Sequence, residues 1–259
     1  IVYSGASPLF VDIKPDSYTI DVQIIYDKLK QDREKRSKIK AIIAVDYAGH
    51  PCDWKSLRSI ADEFEVQLIN DNCHSMGAKY HANLGYGVEY ADCVVQSYHP
   101  VKHITTGEGG SVMTNNEEID KKIKILRTHG MDRNVDKSNG PWYYQMNELG
   151  YNYRMTDMQA ALGISQLSKL NKFIEKRQSI AQIYSKAFEK YDGITTPSIK
   201  SDIQHAYHLY PLLIDFKYFG VNKVQFFQEM KKRDINLQVH YIPVHLQPFY
   251  KKNYGCKEG

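Results

Sequence analysis

A short apolar run, Ala41-Ile42-Ile43-Ala44-Val45, is followed by a helical pattern from Trp54 to Phe64 and then by a second apolar run, Val66-Gln67-Leu68-Ile69. Leu57, Ile60 and Ala61 fall on one face of the intervening segment, and Asp53 stands where a helix N-cap belongs. Strand, helix, strand at this spacing constrains the chain strongly. It predicts parallel strands joined by a crossover helix, hence an α/β fold with helices packed on a sheet. Such open sheets present their ligand sites beyond the carboxyl ends of the strands. Two of the predicted strands end in polar residues, at Asp46 and at Asp71.

A third apolar run, Cys93-Val94-Val95, leads to Ser97 and then to Tyr98-His99-Pro100-Val101-Lys102-His103-Ile104-Thr105-Thr106-Gly107-Glu108-Gly109-Gly110. A lysine held in a turn can be desolvated, lose its proton and attack a carbonyl. The carboxylate of Asp71, the hydroxyl of Ser97 and the amine of Lys102 all fall at strand ends. Together they suit pyridoxal 5'-phosphate (PLP). The amine forms a Schiff base, the carboxylate keeps the pyridine nitrogen protonated, and the hydroxyl donates to the phosphate. His74 follows Asp71 by three residues. It suits contact with the ring or orientation of Asp71, and equally a satisfied core histidine.

Other chemistries fit less well. The Gly107-x-Gly109-Gly110 stretch lacks the Gly-Lys-Ser/Thr of a P-loop and completes no dinucleotide fingerprint. His50-Pro51-Cys52, Cys73-His74 and His99-x-x-x-His103 offer metal-ligand types, but none is a standard paired cluster and Pro100 interrupts the last. No metal is expected. The aromatic segment from Trp142 to Tyr153 suits packing or a subunit contact better than base stacking. Net charge is only +4, with acids and bases interspersed, so nucleic acid is not an expected partner. No apolar run reaches membrane-spanning length. The four cysteines form no C-x-x-C pair and are read as free thiols of a cytoplasmic protein.

Asp21 to Lys30 and Glu117 to Arg127 also read as helices, and the basic stretch from Lys28 to Lys40 as a solvated helix face. Asn134 to Gly140 reads as a polar loop. Thr156 caps a long helix, and helical spacing continues from Leu170 to Tyr191. A smaller unit is expected beyond: strand Tyr207 to Ile214, helix Asn222 to Lys232 and strand Leu237 to Tyr241. We place the large domain at residues 1–180 and the small α+β domain at 181–259. Ile1-Val2-Tyr3 reads as the middle of a strand and Gly259 follows no closing element, so an internal piece of a longer protein is expected.

These motifs, in this order, resemble the DegT/StrS-type sugar-nucleotide aminotransferases, PLP enzymes of the aspartate-aminotransferase fold (fold type I). The resemblance runs over the whole chain. It includes Asp71 to His74, Ser97 to Gly110, Gly150-Tyr151-Asn152-Tyr153-Arg154 and Val239-His240-Tyr241-Ile242-Pro243-Val244-His245. His50 to Asp53, Tyr98 to Thr106, Gly140 to Tyr144 and His240 to Tyr250 are most similar to members that aminate C4 of a UDP-linked 4-keto-6-deoxy-N-acetylhexosamine in nucleotide-sugar biosynthesis of the pseudaminic acid type. The resemblance implies that Lys102 forms the Schiff base, Asp71 pairs with the pyridine nitrogen, His74 lies beside the ring and Ser97 binds phosphate. It implies that Asn152 reaches the cofactor of a second subunit, so a homodimer with shared sites. Gln238, His240, Tyr241 and His245 fall in the implied substrate region, with an amino acid, expected to be glutamate, as amino donor.

The chain departs from the family in showing no N-terminal Gly-Thr/Ser-rich phosphate loop and no residue to stack on the ring. It therefore reads as truncated at both ends relative to the family. Alternatives within the fold are a 3-aminotransferase or a PLP sugar dehydratase. The resemblance opposes the dehydratase, which typically carries histidine where Lys102 stands. Outside the fold, the alternatives are a metal-dependent hydrolase and a catalytically silent fragment.

Overall fold

The computed structural model describes residues 1–35, 38–133, 135–136 and 138–258. Arg36 and Ser37 of the basic stretch, and Asn134 and Lys137 of the expected polar loop, lie outside the described residues.

The main sheet contains β1 (Ala41–Val45), β2 (Gln67–Asp71), β4 (Cys93–Ser97) and β5 (Gly110–Met113), in that spatial order. β1, β2 and β4 are parallel, with Val45 opposite Asp71 and Asp71 opposite Val95. Their polar carboxyl ends are thereby brought side by side. β5 runs antiparallel to β4, with Ser97 opposite Gly110. The connection between those two residues is a loop that turns back on itself at the ligand end of the sheet, and it carries Lys102.

Local chemistry accounts for the helices. Asp21 caps α1 (Val22–Glu34) by accepting from the amides of Gln23 and Ile24. Asp53 caps α2 (Trp54–Phe64) by accepting from Ser56 N, and Glu65 ends the helix in a left-handed conformation. α2 buries Trp54, Leu57 and Ala61, which are fully inaccessible to solvent, against Leu68 of β2 and its neighbours. Burying a side chain the size of Leu57 contributes about 1.5–3 kcal/mol, and the Ala61 methyl about 0.8 kcal/mol. The short α3 (Tyr86–Tyr90) closes the same core with Tyr86. α4 (Glu117–Leu126) follows β5, capped by Asn116.

β1 differs from the expected buried strand in one respect. Ile42 and Ala44 face the core, whereas Ile43 and Val45 are more than a third exposed. It is an edge strand of the main sheet, and its Ile42 and Ala44 share one buried cluster with residues of α1 and α2.

α5 (Asp157–Leu167) starts at a capping box in which Thr156 and Gln159 satisfy each other's backbone amides. α6 (Leu170–Phe188) returns Leu170 and Ile174 to the core. A small hairpin pairs β6 (Met131–Asp132) with β7 (Gln145–Met146) inside the aromatic region. β8 (Ile194–Thr195) pairs with β10 (Leu213–Ile214), and α7 (Lys223–Lys232) begins at a capping box of Asn222 and Gln225. The chain ends in α8 (Pro248–Tyr254).

Two expectations fail here. Of the predicted strand Tyr207 to Ile214, only Leu213–Ile214 is extended and paired. Residues 206–209 instead bond to the turn after β1, with Ala206 N donating to Gly49 O and Leu209 N to Ala48 O. The predicted strand Leu237 to Tyr241 does not form. A strand is a pairing, and among the described residues no neighbouring strand offers this segment a ladder.

An unpredicted contact gives the fold its long-range closure. β3 (Lys79–Tyr80) pairs antiparallel with β9 (Ile203–Gln204). Residues 203–209 are thus held against β3 and the turn after β1, with Ala206 fully buried and His205 nearly so.

Candidate active site

The site is organised around the carboxylate of Asp46, at the end of β1. It is fully buried and accepts four hydrogen bonds: from Cys52 N at 2.7 Å, Trp54 Nε1 at 3.0 Å, Asn72 Nδ2 at 2.8 Å and Tyr86 Oη at 2.7 Å. Burial pushes its carboxyl up to about 6 against the opposing pull of these donors. The Asp46 carbonyl accepts from Ser75 Oγ and its amide donates to Asp71 O. One residue therefore fixes the start of α2, the turn after β1 and the Asp71-to-Ser75 turn after β2.

Asp71 stands at the last position of β2, with Oδ1 accepting from Cys73 N at 3.1 Å. Lys102 lies in the β4–β5 connection, half-buried, its amide donating to His99 O at 2.9 Å. Bonds from Tyr98 N to Gly109 O, Thr106 N to Tyr98 O and Thr105 Oγ1 to Tyr98 O fold that loop tightly. No carboxylate among the described residues forms an ion pair with the Lys102 ammonium.

Electrostatics show that these groups converge. Burial first, and then Lys102, lowers His74 to about 4, while Asp71 acts on it in the opposite sense. Cys73 is driven up to about 12 by burial and by Asp71, with Lys102 opposing. His74, Asp71 and Lys102 thus share one electrostatic neighbourhood at the carboxyl ends of β2 and β4.

A histidine cluster backs this neighbourhood. The His74 ring lies 4.3 Å from that of His208, which lies 5.5 Å from that of His103. His103 Nε2 donates to Ala206 O at 3.0 Å, leaving its Nδ1 buried and without a partner. Burial lowers His103 to about 4 and His208 to about 2, so both rings are neutral near pH 7. Arg177 of α6 donates to the carbonyls of Tyr207 and His208 and fixes this segment from below.

Tyr47 Oη donates to His240 O at 2.7 Å and brings the segment around His240 and Tyr241 over the cluster. Burial raises Tyr241, helped by the Asp71 carboxylate. His240 in turn acts on His74.

The remaining candidate residues are placed as follows. Ser97 ends β4, its Oγ accepting weakly from His99 N at 3.4 Å. Asn152 is exposed and bridged to Thr128, and Gln238 is exposed. No hydrogen bond among the described residues links either to Lys102 or Asp71. His245 packs its ring on Phe10, 5.6 Å away. His99 faces the exposed Glu108, away from His103. The sequence assigned no site role to Asp46, Tyr47, Arg177 or His208, and weighed His103 only as a metal ligand beside His99. Of these, Asp46 carried a usable hint, since a carboxylate at a strand end beside a helix start invites a role.

The donor set fits PLP. An amine free of carboxylate partners, a strand-end carboxylate, a strand-end hydroxyl and a neutral imidazole flank one mouth of the sheet, and the backing histidines are uncharged. They would place no competing cation beside the amine.

The DegT/DnrJ/EryC1/StrS aminotransferase family matches residues 1–259. An uncharacterised Methanocaldococcus jannaschii protein, MJ1066, is 44% identical over 263 residues, covering 100% of this chain and 66% of that protein. A Campylobacter jejuni UDP-4-amino-4,6-dideoxy-N-acetyl-beta-L-altrosamine transaminase of serotype O:2 is 41% identical over 253 residues, covering 97% of this chain and 64% of that enzyme. Among solved structures, Helicobacter pylori PseC, an aminotransferase involved in the biosynthesis of pseudoaminic acid, superposes with a TM-score of 0.86 at 31% identity. That match covers 99% of this chain and 65% of PseC. The chain therefore spans just under two thirds of the length of these relatives. With the family matched from the first residue to the last, on a fold shared with PseC, the chain belongs to the DegT/DnrJ/EryC1/StrS aminotransferase family.

Proposed function

We propose that the intact protein is a PLP-dependent aminotransferase of nucleotide-sugar biosynthesis. It moves an amino group from an amino acid, glutamate by preference, to the C4 ketone of a UDP-linked 4-keto-6-deoxy-N-acetylhexosamine. The observation that carries this reading is the shared neighbourhood of Lys102, Asp71 and His74 in a chain of this family. The substrate assignment rests on the activity by which the Campylobacter relative is named and on the pathway of PseC.

PLP would be held by Lys102, Asp71, His74 and Ser97, and when bound it supplies an electron sink for the carbon that exchanges nitrogen for oxygen. The Asp71 carboxylate would keep a proton on the pyridine nitrogen. The Lys102 amine would anchor the group and, when free, would take and return a proton at the reacting carbon. The Tyr47-to-His240 bond holds one wall of the sugar site, where Tyr241 faces Asp71. His74, His103 and His208, lowered by burial, stand as neutral rings beside the cofactor position.

A homodimer is part of this reading. Trp142 is 77% exposed, Leu149 87% and Met158 83%, on the same stretch that carries Asn152. So much bare apolar surface favours a second subunit, and Asn152 would then reach the partner's site.

Lys102→Ala tests the assignment in full-length protein. The variant is expected to lose both the visible absorbance of bound PLP and the amino-sugar product, read by mass spectrometry with glutamate and the keto sugar. Retained turnover would sink the proposal.

A further inference from the structure

His74 has one engaged ring nitrogen and one free one. Its Nδ1 accepts from Ala48 N at 3.4 Å. An N–H aimed at Nδ1 leaves no room for a proton there, so the neutral ring carries its proton on Nε2. Nε2 has no hydrogen-bond partner among the described residues. Nor is it sealed from solvent, in contrast to the unpartnered Nδ1 atoms of His103 and His208. With the residue as a whole only 8% exposed, His74 offers a single donor through one small opening.

The Ala48 amide is aimed by its backbone. Ala48 is buried at φ of 59° and ψ of -3°, in the left-handed region that a residue with a Cβ occupies only where its surroundings hold it. Here the hold comes from residues 206–209. Leu209 N donates to Ala48 O at 3.1 Å, and Ala206 N donates to Gly49 O at 2.9 Å. The same segment carries His208, whose ring lies 4.3 Å from that of His74 with 37° between the planes. Arg177 anchors the segment through the carbonyls of Tyr207 and His208. His74 is thus held at one nitrogen by an amide and across its face by a ring, with Tyr47 6.0 Å away and Lys102, Asp71 and His240 acting on it.

We propose that Ala48 and His208 are positioning residues that fix His74 as a neutral hydrogen-bond donor through Nε2, with an oxygen of the bound cofactor as its acceptor. The acceptor rests on the function proposed above; the fixed donor does not. A neutral imidazole N–H polarises an oxygen without surrendering its proton. That role is separate from the proton exchange assigned to Lys102. It needs one tautomer in one orientation, which the turn after β1 and residues 206–209 supply together.

Nitrogen-15 NMR of histidine-labelled full-length protein at neutral pH reads the tautomer, before and after loading with PLP. His74, assigned by its loss in His74→Gln, is expected to show a protonated Nε2 and a bare Nδ1 in both states. His208→Ala is expected to free the ring and move both nitrogens toward the averaged shifts of a mixture. His208→Phe, which restores a ring, is expected to keep the parent tautomer. A protonated Nδ1, an imidazolium or a mixture in the parent would overturn the proposal, and so would shifts indifferent to His208→Ala. If His208→Ala misfolds by circular dichroism, the parent spectrum and a second readout decide. That readout is the pH midpoint of the visible PLP band. An oxygen deprived of its donor holds a shared proton more tightly. His74→Asn, whose amide nitrogen reaches only as far as Nδ1, is therefore expected to bind that proton at least about threefold more tightly than His74→Gln, whose amide nitrogen reaches the place of Nε2. Equal midpoints in the two variants would overturn the proposal. A parent protein that takes up no PLP would overturn the function proposed above and the acceptor named here, while the NMR result still decides the fixed donor.

Discussion

Tyr47 Oη donates to the carbonyl of His240, a residue 193 positions away in the chain, at 2.7 Å. The bond joins the turn after β1 to the segment that roofs the candidate site. A site assembled in this way depends on contacts between distant parts of the chain as much as on its strand-end residues.

Tyr47→Phe removes that bond and little else. A single hydrogen bond of this kind contributes about 0.5–1.5 kcal/mol. The variant is expected to raise KM for the sugar substrate by roughly two- to tenfold, with a smaller change in kcat. Steady-state kinetics with the sugar varied would check this, and an unchanged KM would show that the bond does not position the sugar wall.

Asp46→Ala strands four buried donors, those of Cys52, Trp54, Asn72 and Tyr86. Each unsatisfied buried donor costs about 1–3 kcal/mol, so the loss should reach at least about 3 kcal/mol after relaxation. Urea denaturation is the measurement. A midpoint within error of the parent protein would contradict the role given to this carboxylate.

Gly49→Ala acts on the same turn by sterics. Gly49 has φ of 106°, and an added Cβ would meet Tyr207 N at 2.6 Å and Ala206 C at 3.1 Å. The close approach is required because Ala206 N donates to Gly49 O at 2.9 Å. The substitution should cost about 2 kcal/mol or more. It should also displace His208 from His74, seen as a lower melting temperature and altered histidine NMR shifts.

Acidification should destabilise the fold. Burial first of all holds His74 and His103 at about 4 and His205 at about 3. Lys102 acts in the same direction on His74 and His103, Arg177 on His103 and His50 on His205, while Asp71 opposes at His74. In the unfolded chain these rings titrate near about 6.5. Between about pH 6.5 and 4 the unfolded state therefore binds more protons, and stability falls as pH drops through that window. Above it the contribution is fully present. Asp46, raised to about 6 by burial, works in reverse: the folded state takes up its proton first, which recovers some stability between about pH 6 and 4. Three imidazoles outweigh one carboxyl. Urea midpoints should thus decline steadily from about pH 7 to about pH 4.5, and a midpoint that rises would contradict this balance.

Much of the fold is legible in the residues themselves. β1 and α2 occupy the segments expected, because period, length and the Asp53 cap are local properties. The Thr156 and Asn222 caps are likewise read directly from residue type. Asp71, Ser97 and Lys102 could be singled out because each follows an apolar run, and a parallel sheet gathers such ends on one side. The strand expected from Leu237 to Tyr241 was misjudged for the complementary reason: apolar, extended residues become a strand only when another strand lies beside them.

What the amino-acid sequence determined by itself was therefore the series of elements, their caps, the family resemblance and the residue types at the strand ends. Tertiary structure alone decided that residues 203–209 return to the turn after β1, that Asp46 gathers four donors, and that His74, His103 and His208 sit ring against ring as neutral groups. The physical reason is range. Capping and periodicity act over a few residues and leave a mark in any short window of sequence. Desolvation and long-range hydrogen bonding depend on which distant groups share a buried volume, and that is settled only when the chain closes on itself.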